Sequence, residues 1–270
     1  MSQSLRTITK ISRQKSTDRY NVFLDEHYAF SVSEDVLVKK HLHKGLTLSE
    51  QDIATIQKHD SWHRSYLQAI RYLSYRMRST EEIRHYLRKK DVESIVIEEI
   101  IVKLQKENYL NDLAFAKAFV RDRMNQSTKG PLLIANELEE KGVSAKIIEE
   151  AIKEYTYDAQ FQTALNWAQK QQKRKSSHAY RKRKAQLKSK LYQKGYSSDV
   201  INAVFEEIRL EPNLEEEKKL LEHQAEKLLR KYQKNYTGSK LRLKLKTSLY
   251  RRGFPSELIS EYVAKLDETL

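Results

Sequence analysis

A turn between two helical segments recurs along the chain, centred on Gly142, Gly195 and Gly253. Each glycine lies four residues after a leucine and is followed by apolar pairs at helical spacing. Glycine readily takes the left-handed conformation that ends a helix, and the apolar pairs give the next helix one buried face. The pattern therefore predicts units in which one helix stops at the glycine and another starts directly after it.

A fourth copy of the turn has Asp91 at the glycine position, a residue that tolerates the left-handed conformation less readily than glycine. A further amphipathic segment lies upstream of each turn, so each unit should contain three helices. These upstream segments are 62–75, 113–124, 161–168 and 220–232. A three-helix unit of about fifty residues buries little apolar surface alone, so the units should pack in tandem into an elongated, curved array.

The first sixty residues follow a different pattern. Apolar and polar residues alternate on both sides of the turn at 25–27, which is typical of a β-hairpin. Ile8 and Ile11 indicate a preceding strand, and helices are expected at 34–42 and after Ser49. The predicted fold class is therefore mainly α, with tandem three-helix repeats and a small N-terminal subdomain that contains a β-hairpin.

These patterns divide the chain into five parts. They are an N-terminal hairpin with helices at 1–60, repeat 1 at 61–108, repeat 2 at 109–156, repeat 3 at 157–210 and repeat 4 at 211–270. Helix-start signals lie at several of the expected boundaries. They are a capping box from Ser79 to Glu82, Pro131 and Pro255 at first helical positions, and caps at Asn111 or Asp112 and at Ser239.

Composition limits the class of protein further. Only six glycines and three prolines among 270 residues favour long helices, and 39% hydrophobic residues are few for one large core. The absence of cysteine excludes disulfides and thiolate metal sites. The chain has no apolar run of about 18 residues and no N-terminal signal pattern, so we expect a cytoplasmic protein without a membrane partner.

Two stretches of the chain contain many lysines and arginines but no acidic residue, within a net charge of +14. One lies between Asp158 and Asp199 and the other between Glu226 and Glu257, with an acidic run at 211–226 between them. Without interleaved glutamates these helices lack the usual i, i+4 pairing, so their repulsion suggests an external anion. We interpret them as surfaces for nucleic acid or a nucleoprotein, the alternative being an inert solvated surface.

The candidate binding residues are the cations of these two stretches. They are Lys173, Arg174, Lys175, Arg181, Lys182, Arg183, Lys184 and Lys188 in repeat 3, and Lys240, Arg242, Lys244, Arg251 and Arg252 in repeat 4. Five tyrosines nearby could stack on bases or simply pack between helices. They are Tyr180, Tyr192, Tyr232, Tyr236 and Tyr250.

Nothing in the sequence indicates catalysis. Neither GxGxxG nor GxxxxGK[ST] occurs, and no cofactor is expected. His59 and His63 have i, i+4 spacing around Asp60, but without a third ligand we interpret them as exposed polar residues rather than a metal site. Acidic residues such as those at 215–217 are expected on solvated helix faces. The protein is therefore predicted not to be an enzyme and to bind no metal.

Three segments carry a resemblance to a known family. YLNDLAFAKAFVRDR at 109–123 and KGPLLIANELEEKGV at 129–143 resemble the central signature of the RecX family of recombination regulators. YLSYRMRSTEEIRHYL at 72–87 is similar to the first repeat of that family. The likeness continues through the tandem units, and the fourth unit and hairpin suggest one of the longer members.

The resemblance implies a function. RecX proteins bind the RecA filament on single-stranded DNA, lie along its groove, and restrain ATP hydrolysis and strand exchange in recombination, DNA repair and the SOS response. It implies RecA and single-stranded DNA as partners, with double-stranded DNA as a further candidate, and we expect a monomer. The block in repeat 3, especially Arg174, Arg181, Lys182 and Arg183, is expected to face an acidic RecA surface or the DNA backbone.

Two other classes of function remain open. One is a DNA-binding protein that acts without RecA through helix-turn-helix units, although the residues after the glycines suit base readout poorly. The other is a helical-repeat scaffold for a protein partner, whose binding would be insensitive to salt. The RecA ATPase rate and single-stranded DNA affinity, followed over a salt series, would separate all three.

Overall fold

The structure is a computed structural model that describes residues 5–15, 18–174, 176–208 and 213–269, with side chains as far as 266. It is mainly helical, with four strands near the N-terminus, which confirms the predicted fold class. Lys175, a predicted site residue, and Glu211, the start of the acidic run, lie outside the described residues.

The N-terminal strands form one antiparallel sheet in the order β3-β2-β1-β4. They are β1 (Arg6–Arg13), β2 (Arg19–Leu24), β3 (His27–Ser33) and β4 (Thr47–Leu48). Asp25 and Glu26 connect β2 to β3, and their φ angles of 47° and 71° are typical of a type I′ turn. Such a turn matches the twist of its strands, so the predicted hairpin and the strand before it are confirmed.

The helices are numbered in chain order from the N-terminus to the C-terminus. Those near the sheet are α1 (Glu34–Lys39), α2 (Glu50–Leu73), α3 (Thr80–Arg88) and α4 (Ser94–Lys106). Those in the middle of the chain are α5 (Asp112–Gln126), α6 (Pro131–Glu140) and α7 (Ala145–Ile152). The remainder are α8 (Tyr157–Gln172), α9 (Tyr180–Gln193), α10 (Ser198–Ile208), α11 (Leu214–Tyr232), α12 (Gly238–Arg251) and α13 (Ser256–Thr269).

Helix α2 is longer than the sequence pattern suggested. Ser49 caps it through a capping box with Asp52, and it continues for 24 residues without a break at residue 60. The helix expected after Ser49 and the segment expected from Trp62 are therefore one element. Its first half packs against the sheet through Ile56, and its second half contributes Ala69 to the core of α3 and α4.

The chain folds into two compact units. The first comprises Met1–Ala116 with Glu139–Ile147 and contains the core under the sheet and the core of α2 to α4. The second comprises Lys117–Leu138 with Ile148–Leu270. It contains one core formed by α8 to α10 and another formed by α11 to α13.

All four predicted turns have the left-handed conformation. Asp91, Gly142, Gly195 and Gly253 have φ angles of 58°, 73°, 86° and 89°. The capping box at Ser79 and the first-turn position of Pro131 are confirmed as well. Two other predicted helix starts differ from the structure by one or two residues. Pro255 precedes α13 rather than opening it, and Thr237, not Ser239, is the N-cap of α12.

The same hydrogen-bonded junction joins one repeat to the next at three places, each inside a single unit. The residue that precedes a middle helix donates to the carbonyl just before the glycine of the following repeat. The bonds are Ser79 Oγ to Lys141 O at 2.6 Å, Gly130 N to Lys194 O at 2.7 Å, and Ala179 N to Arg252 O at 3.0 Å. In each case a donor at a helix start thus satisfies an otherwise unpaired carbonyl at a helix end, and the donor is a side-chain hydroxyl at Ser79 and a backbone N–H at Gly130 and Ala179.

The glycines at these junctions are required by close approach as well as by φ. A Cβ on Gly195 would lie 2.7 Å from the backbone nitrogen of Leu133, and one on Gly253 would lie 2.6 Å from Cβ of Lys182. A Cβ on Gly142 would overlap Cβ of Glu81 in the same way. Any side chain at these positions would therefore push the neighbouring repeat away.

Asp91 occupies the equivalent position in repeat 1 and does carry a side chain. No backbone N–H in the described parts of the chain donates to the carbonyl of Lys90, which precedes Asp91. The turn of repeat 1 is thus not part of a junction of this kind. A residue with a side chain thus stands at the turn that lacks this hydrogen bond.

A carboxylate from the following repeat completes two of the junctions. Thr80 N donates to Asp112 at 2.7 Å, and Tyr180 N donates to Glu217 at 3.2 Å. The middle helix of repeat 2 begins with Pro131, which has no N–H to satisfy. Glu217 is only 8% exposed, so the expectation that the acidic run at 215–217 is wholly solvated is wrong for this residue.

We expect Gly195→Ala to destabilise the protein more than Gly45→Ala. Both glycines have positive φ, but a Cβ on Gly45 meets nothing within 4 Å, so this pair separates backbone strain from junction overlap. The difference in free energy of unfolding, measured by urea titration, should be about 1–3 kcal/mol. Equal losses in the two variants would contradict the junction.

Glu82 should make the first junction sensitive to acid. Burial raises the pKa of Glu82, but hydrogen bonds from Arg76 and Ser79 N and the charge of Lys141 outweigh it, so the pKa lies below its ordinary value of 4.5. As the pH falls, Glu82 is protonated in the unfolded chain before it is protonated in the folded protein. The stabilisation from its charge is therefore present above pH 4.5 and is lost as the pH falls through the folded pKa.

The matched variants are Glu82→Gln and Glu99→Gln, the latter on an exposed face of α4. The loss of stability caused by Glu82→Gln, measured by urea titration at a series of pH values, should shrink towards zero below the folded pKa. The loss caused by Glu99→Gln should be small at every pH. A constant loss for Glu82→Gln would show that the charge of Glu82 contributes nothing.

Candidate anion-binding surface

The middle helices of repeats 3 and 4 are longer than those of repeats 1 and 2. Helices α9 and α12 each have 14 residues, whereas α3 has 9 and α6 has 10. The difference is about one helical turn, roughly 6 Å of axis. The longer helices carry most of the predicted binding residues, so the cations lie on rigid elements.

The structure places most of the predicted site residues on the surface. The exposed ones are Lys173, Arg174, Arg181, Lys184, Lys188, Lys240, Arg242, Lys244 and Arg251. Lys182, Arg183 and Arg252 are half-buried. Lys175 lies outside the described residues, so the structure gives no account of it.

Two of the half-buried cations hold the junction between repeats 3 and 4. Lys182 Nζ donates to the carbonyl of Arg251 at 2.5 Å, and Arg252 donates to the side chain of Gln224. Since Arg252 also supplies the carbonyl that accepts from Ala179, both residues have a structural role. Their substitution would disturb the fold as well as any bound anion.

The exposed cations of α9 lack the ion pairs found elsewhere. Arg84 on α3 pairs with Glu98 at 2.7 Å, and Arg123 on α5 pairs with Glu137 at 2.6 Å. By contrast, Arg181, Lys184 and Lys188 form no ion pair with any carboxylate among the described residues. No described carboxylate therefore offsets the repulsion among these three cations, as the sequence predicts.

A basic cleft lies between the end of α8 and the start of α9. Its volume is about 230 Å³, and its lining includes Arg174, Ser176, Arg183, Lys184 and Lys190. Arg183 is fixed there because its guanidinium donates to the carbonyl of Gln172 at 3.1 Å. Guanidinium, ammonium and hydroxyl donors around one space can bind a phosphate or carboxylate group.

Alignment of Gly195 with Gly253 shows that α9 and α12, with the residue after each helix, share four cation positions. The equivalent pairs are Lys182 and Lys240, Lys184 and Arg242, Lys188 and Lys246, and Lys194 and Arg252. The predicted list contained neither Lys190, which lines the cleft, nor Lys246, which matches Lys188. Equal distance from the two glycines is the signal that identifies Lys246.

The sequence suggested that His59 and His63 are both exposed, which holds for His59 but not for half-buried His63. Asp60 is 3% exposed, accepts hydrogen bonds from Arg19 at 2.7 Å and from Ser33 N at 2.7 Å, and so ties the sheet to α2. His63 lies beside Ser33 and Asp35 in the same contact. Among the described residues, no group of three or more histidines or carboxylates is arranged to hold a metal ion.

None of the helices in the described ranges combines the length and the hydropathy that crossing a membrane requires.

Comparison with known proteins identifies the family. Models of the RecX N-terminal domain and of the first and second RecX three-helix domains match residues 6–49, 66–104 and 111–152. The model of the third three-helix domain matches twice, at 158–205 and 215–263. The two repeats that share the longer, basic middle helix are thus similar to the same family domain.

Curated relatives match over nearly their full length. "Regulatory protein RecX" of Oceanobacillus iheyensis is 39% identical over 96% of this chain and 97% of its own. That of Bacillus velezensis is 41% identical over 95% of this chain and 97% of its own.

Two solved structures show the same likeness. A crystal structure of regulatory protein RecX has a TM-score of 0.65 and 33% identity over 74% of this chain and 99% of its own. RecX from Lactobacillus salivarius has a TM-score of 0.54 and 36% identity over 56% of this chain and 99% of its own. This chain belongs to the RecX family of regulatory proteins.

Proposed function

We propose that this protein is a negative regulator of RecA that binds the groove of the RecA filament on single-stranded DNA. Bound there, it slows ATP hydrolysis and strand exchange and so modulates recombination, DNA repair and the SOS response. Membership of the RecX family supports a RecA-related regulatory role. The observation that supports the mode of binding is the exposed set Arg181, Lys184 and Lys188 on α9, which forms no ion pair with any described carboxylate.

The electrostatic argument depends on where charge is compensated. Repeat 1 pairs Arg84 with two glutamates, and the α5–α6 pair shares Glu137 between Arg123 and Lys129. The exposed cations of α9 repel one another and gain no ion pair from the described residues. A RecA filament supplies both a phosphate backbone and protein carboxylates, so binding it would relieve that repulsion.

The basic cleft gives the proposal a definite contact. Arg174, Arg183 and Lys184 surround a space that accommodates one phosphate or carboxylate group, with Lys190 at its edge. Arg183 is held by Gln172, so less side-chain entropy is lost when it binds an anion. The cleft is therefore a place on this surface where a phosphate or carboxylate would meet several donors at once.

Reversing three exposed charges on α9 should weaken inhibition of RecA. The variant is Arg181→Glu, Lys184→Glu and Lys188→Glu, which leaves Lys182 in its junction. The concentration required to halve the RecA ATPase rate on single-stranded DNA should rise at least about tenfold. The slope of log affinity against log salt should fall by about 0.7 for each phosphate contact that is lost.

The matched control reverses the charges of Lys44, Lys58 and Lys106 by substitution with Glu. These lysines are exposed in the first unit, and the change in net charge is the same. This control should inhibit RecA like the wild type. Unchanged inhibition by the α9 variant would reject this surface. Equal loss in both variants would mean that only the total charge matters. Loss of free-DNA binding with intact RecA inhibition would favour a RecA contact that does not use these cations.

Neutralising the same cations should leave the fold intact. Because Lys184 and Lys188 form no ion pair with the described carboxylates, Lys184→Gln with Lys188→Gln should change the free energy of unfolding by less than about 0.5 kcal/mol. Arg84→Gln breaks contacts to Glu81 and Glu98, so it should be the more destabilising variant. Thermal unfolding of the two proteins measures the difference, and a large loss in the lysine variant would give those lysines a structural role.

A further inference from the structure

Helices α9 and α12 each end in an exposed tyrosine at the same position. Tyr192 lies three residues before Gly195, and Tyr250 lies three residues before Gly253. Their exposed fractions are 45% and 67%. The equivalent positions in repeats 1 and 2 hold Arg88 and Glu139, so the tyrosine is specific to the two basic repeats.

The other three of the five candidate tyrosines are packed. Tyr180 is half-buried, and its backbone N–H donates to Glu217. Tyr232 donates to or accepts from Ser248 at 2.8 Å and packs edge-on against Tyr236. Both Tyr232 and Tyr236 are half-buried. The structure therefore separates two tyrosines that face solvent from three that pack between helices.

On α9 the exposed tyrosine continues a row of cations. Lys184, Lys188 and Tyr192 have i, i+4, i+8 spacing, which places them on one face of a helix. Their contacts along α10 confirm the row. Lys184 Nζ lies 5.9 Å from the Phe205 ring, Lys188 Nζ lies 3.4 Å from Asn202 Oδ1, and Tyr192 Oη lies 3.2 Å from Ser198 Oγ.

The equivalent row on α12 consists of Arg242, Lys246 and Tyr250. All three are exposed. Each row spans about 12 Å of helix axis and presents two cations followed by one aromatic ring. Cations beside an exposed ring are the combination that binds single-stranded nucleic acid, in which phosphates contact the cations and an unpaired base stacks on the ring.

We propose that these two matched rows are a tandem binding site for single-stranded nucleic acid, in which Tyr192 and Tyr250 each stack on one base. The inference rests on the proposed function for its biological setting and adds the residues that select an unpaired strand. Base pairs in a duplex are stacked on one another, so a duplex offers the rings no free base face. Two linked rows on one strand also bind more tightly than either alone.

Replacement of both rings by leucine tests the proposal. Tyr192→Leu with Tyr250→Leu keeps the apolar bulk but removes the aromatic faces, and Tyr192→Phe with Tyr250→Phe keeps them. Affinity is measured by fluorescence anisotropy with labelled oligo-dT of about 20 nucleotides and with an abasic strand of equal length. Each lost ring should weaken oligo-dT binding about tenfold, while the phenylalanine variant should bind like the wild type.

The abasic strand distinguishes stacking from charge. Wild type should bind it more weakly than oligo-dT, and the leucine variant should bind both strands equally. The salt slope of the leucine variant should match that of the wild type, because the phosphate contacts remain. Tyr157→Leu is the matched control, since Tyr157 is 51% exposed in the same unit but lies outside both rows.

Two results would overturn the proposal. One is a leucine variant that binds oligo-dT within about twofold of the wild type, since each base stacked on a ring is worth more than that. The other is a leucine variant that loses RecA inhibition but keeps oligo-dT binding, which would assign the rings to a protein contact. That second result would leave the proposed RecA function standing. Failure of the charge-reversal experiment would count against the RecA surface whatever the tyrosines do.

Discussion

The junction between the start of one middle helix and the end of the next is the interaction on which this architecture depends. It satisfies carbonyls that isolated helices leave unpaired, and it does so at equivalent positions in three places, with a hydroxyl donor at Ser79 and backbone N–H donors at Gly130 and Ala179. It also requires glycine, because any Cβ at Gly195 or Gly253 would overlap the neighbouring repeat. Close approach at these glycines thus constrains how consecutive repeats meet inside each unit.

The junctions involve the ends of the middle helices, so the exposed faces between those ends can vary from one repeat to another. In repeat 1 and in the α5–α6 pair those faces carry ion pairs such as Arg84 with Glu98 and Arg123 with Glu137. In repeats 3 and 4 the middle helix gains about one turn, and α9 gains cations without carboxylate partners among the described residues. Charge compensation on these faces therefore differs between the repeats.

Much of this could be predicted from the sequence because the glycine turns repeat with their apolar pairs. The positive φ angles, the hairpin and the capping box at Ser79 follow from local chemistry and were predicted. Contacts across the chain could not be predicted. Nothing local shows that Glu217 satisfies Tyr180 N, or that Asp60 is buried against Arg19. Lys182 and Arg252 look in the sequence like the other cations of the predicted site. Their positions at a junction nevertheless give them structural roles.

The most direct test of the central claim is the salt dependence of wild-type binding to a RecA filament assembled on single-stranded DNA. If exposed cations on α9 and α12 provide the contact, log affinity should fall linearly with log salt, with a slope of about −0.7 for each phosphate neutralised. An affinity that stays constant across the salt series would show that binding is carried by uncharged contacts and would contradict the account.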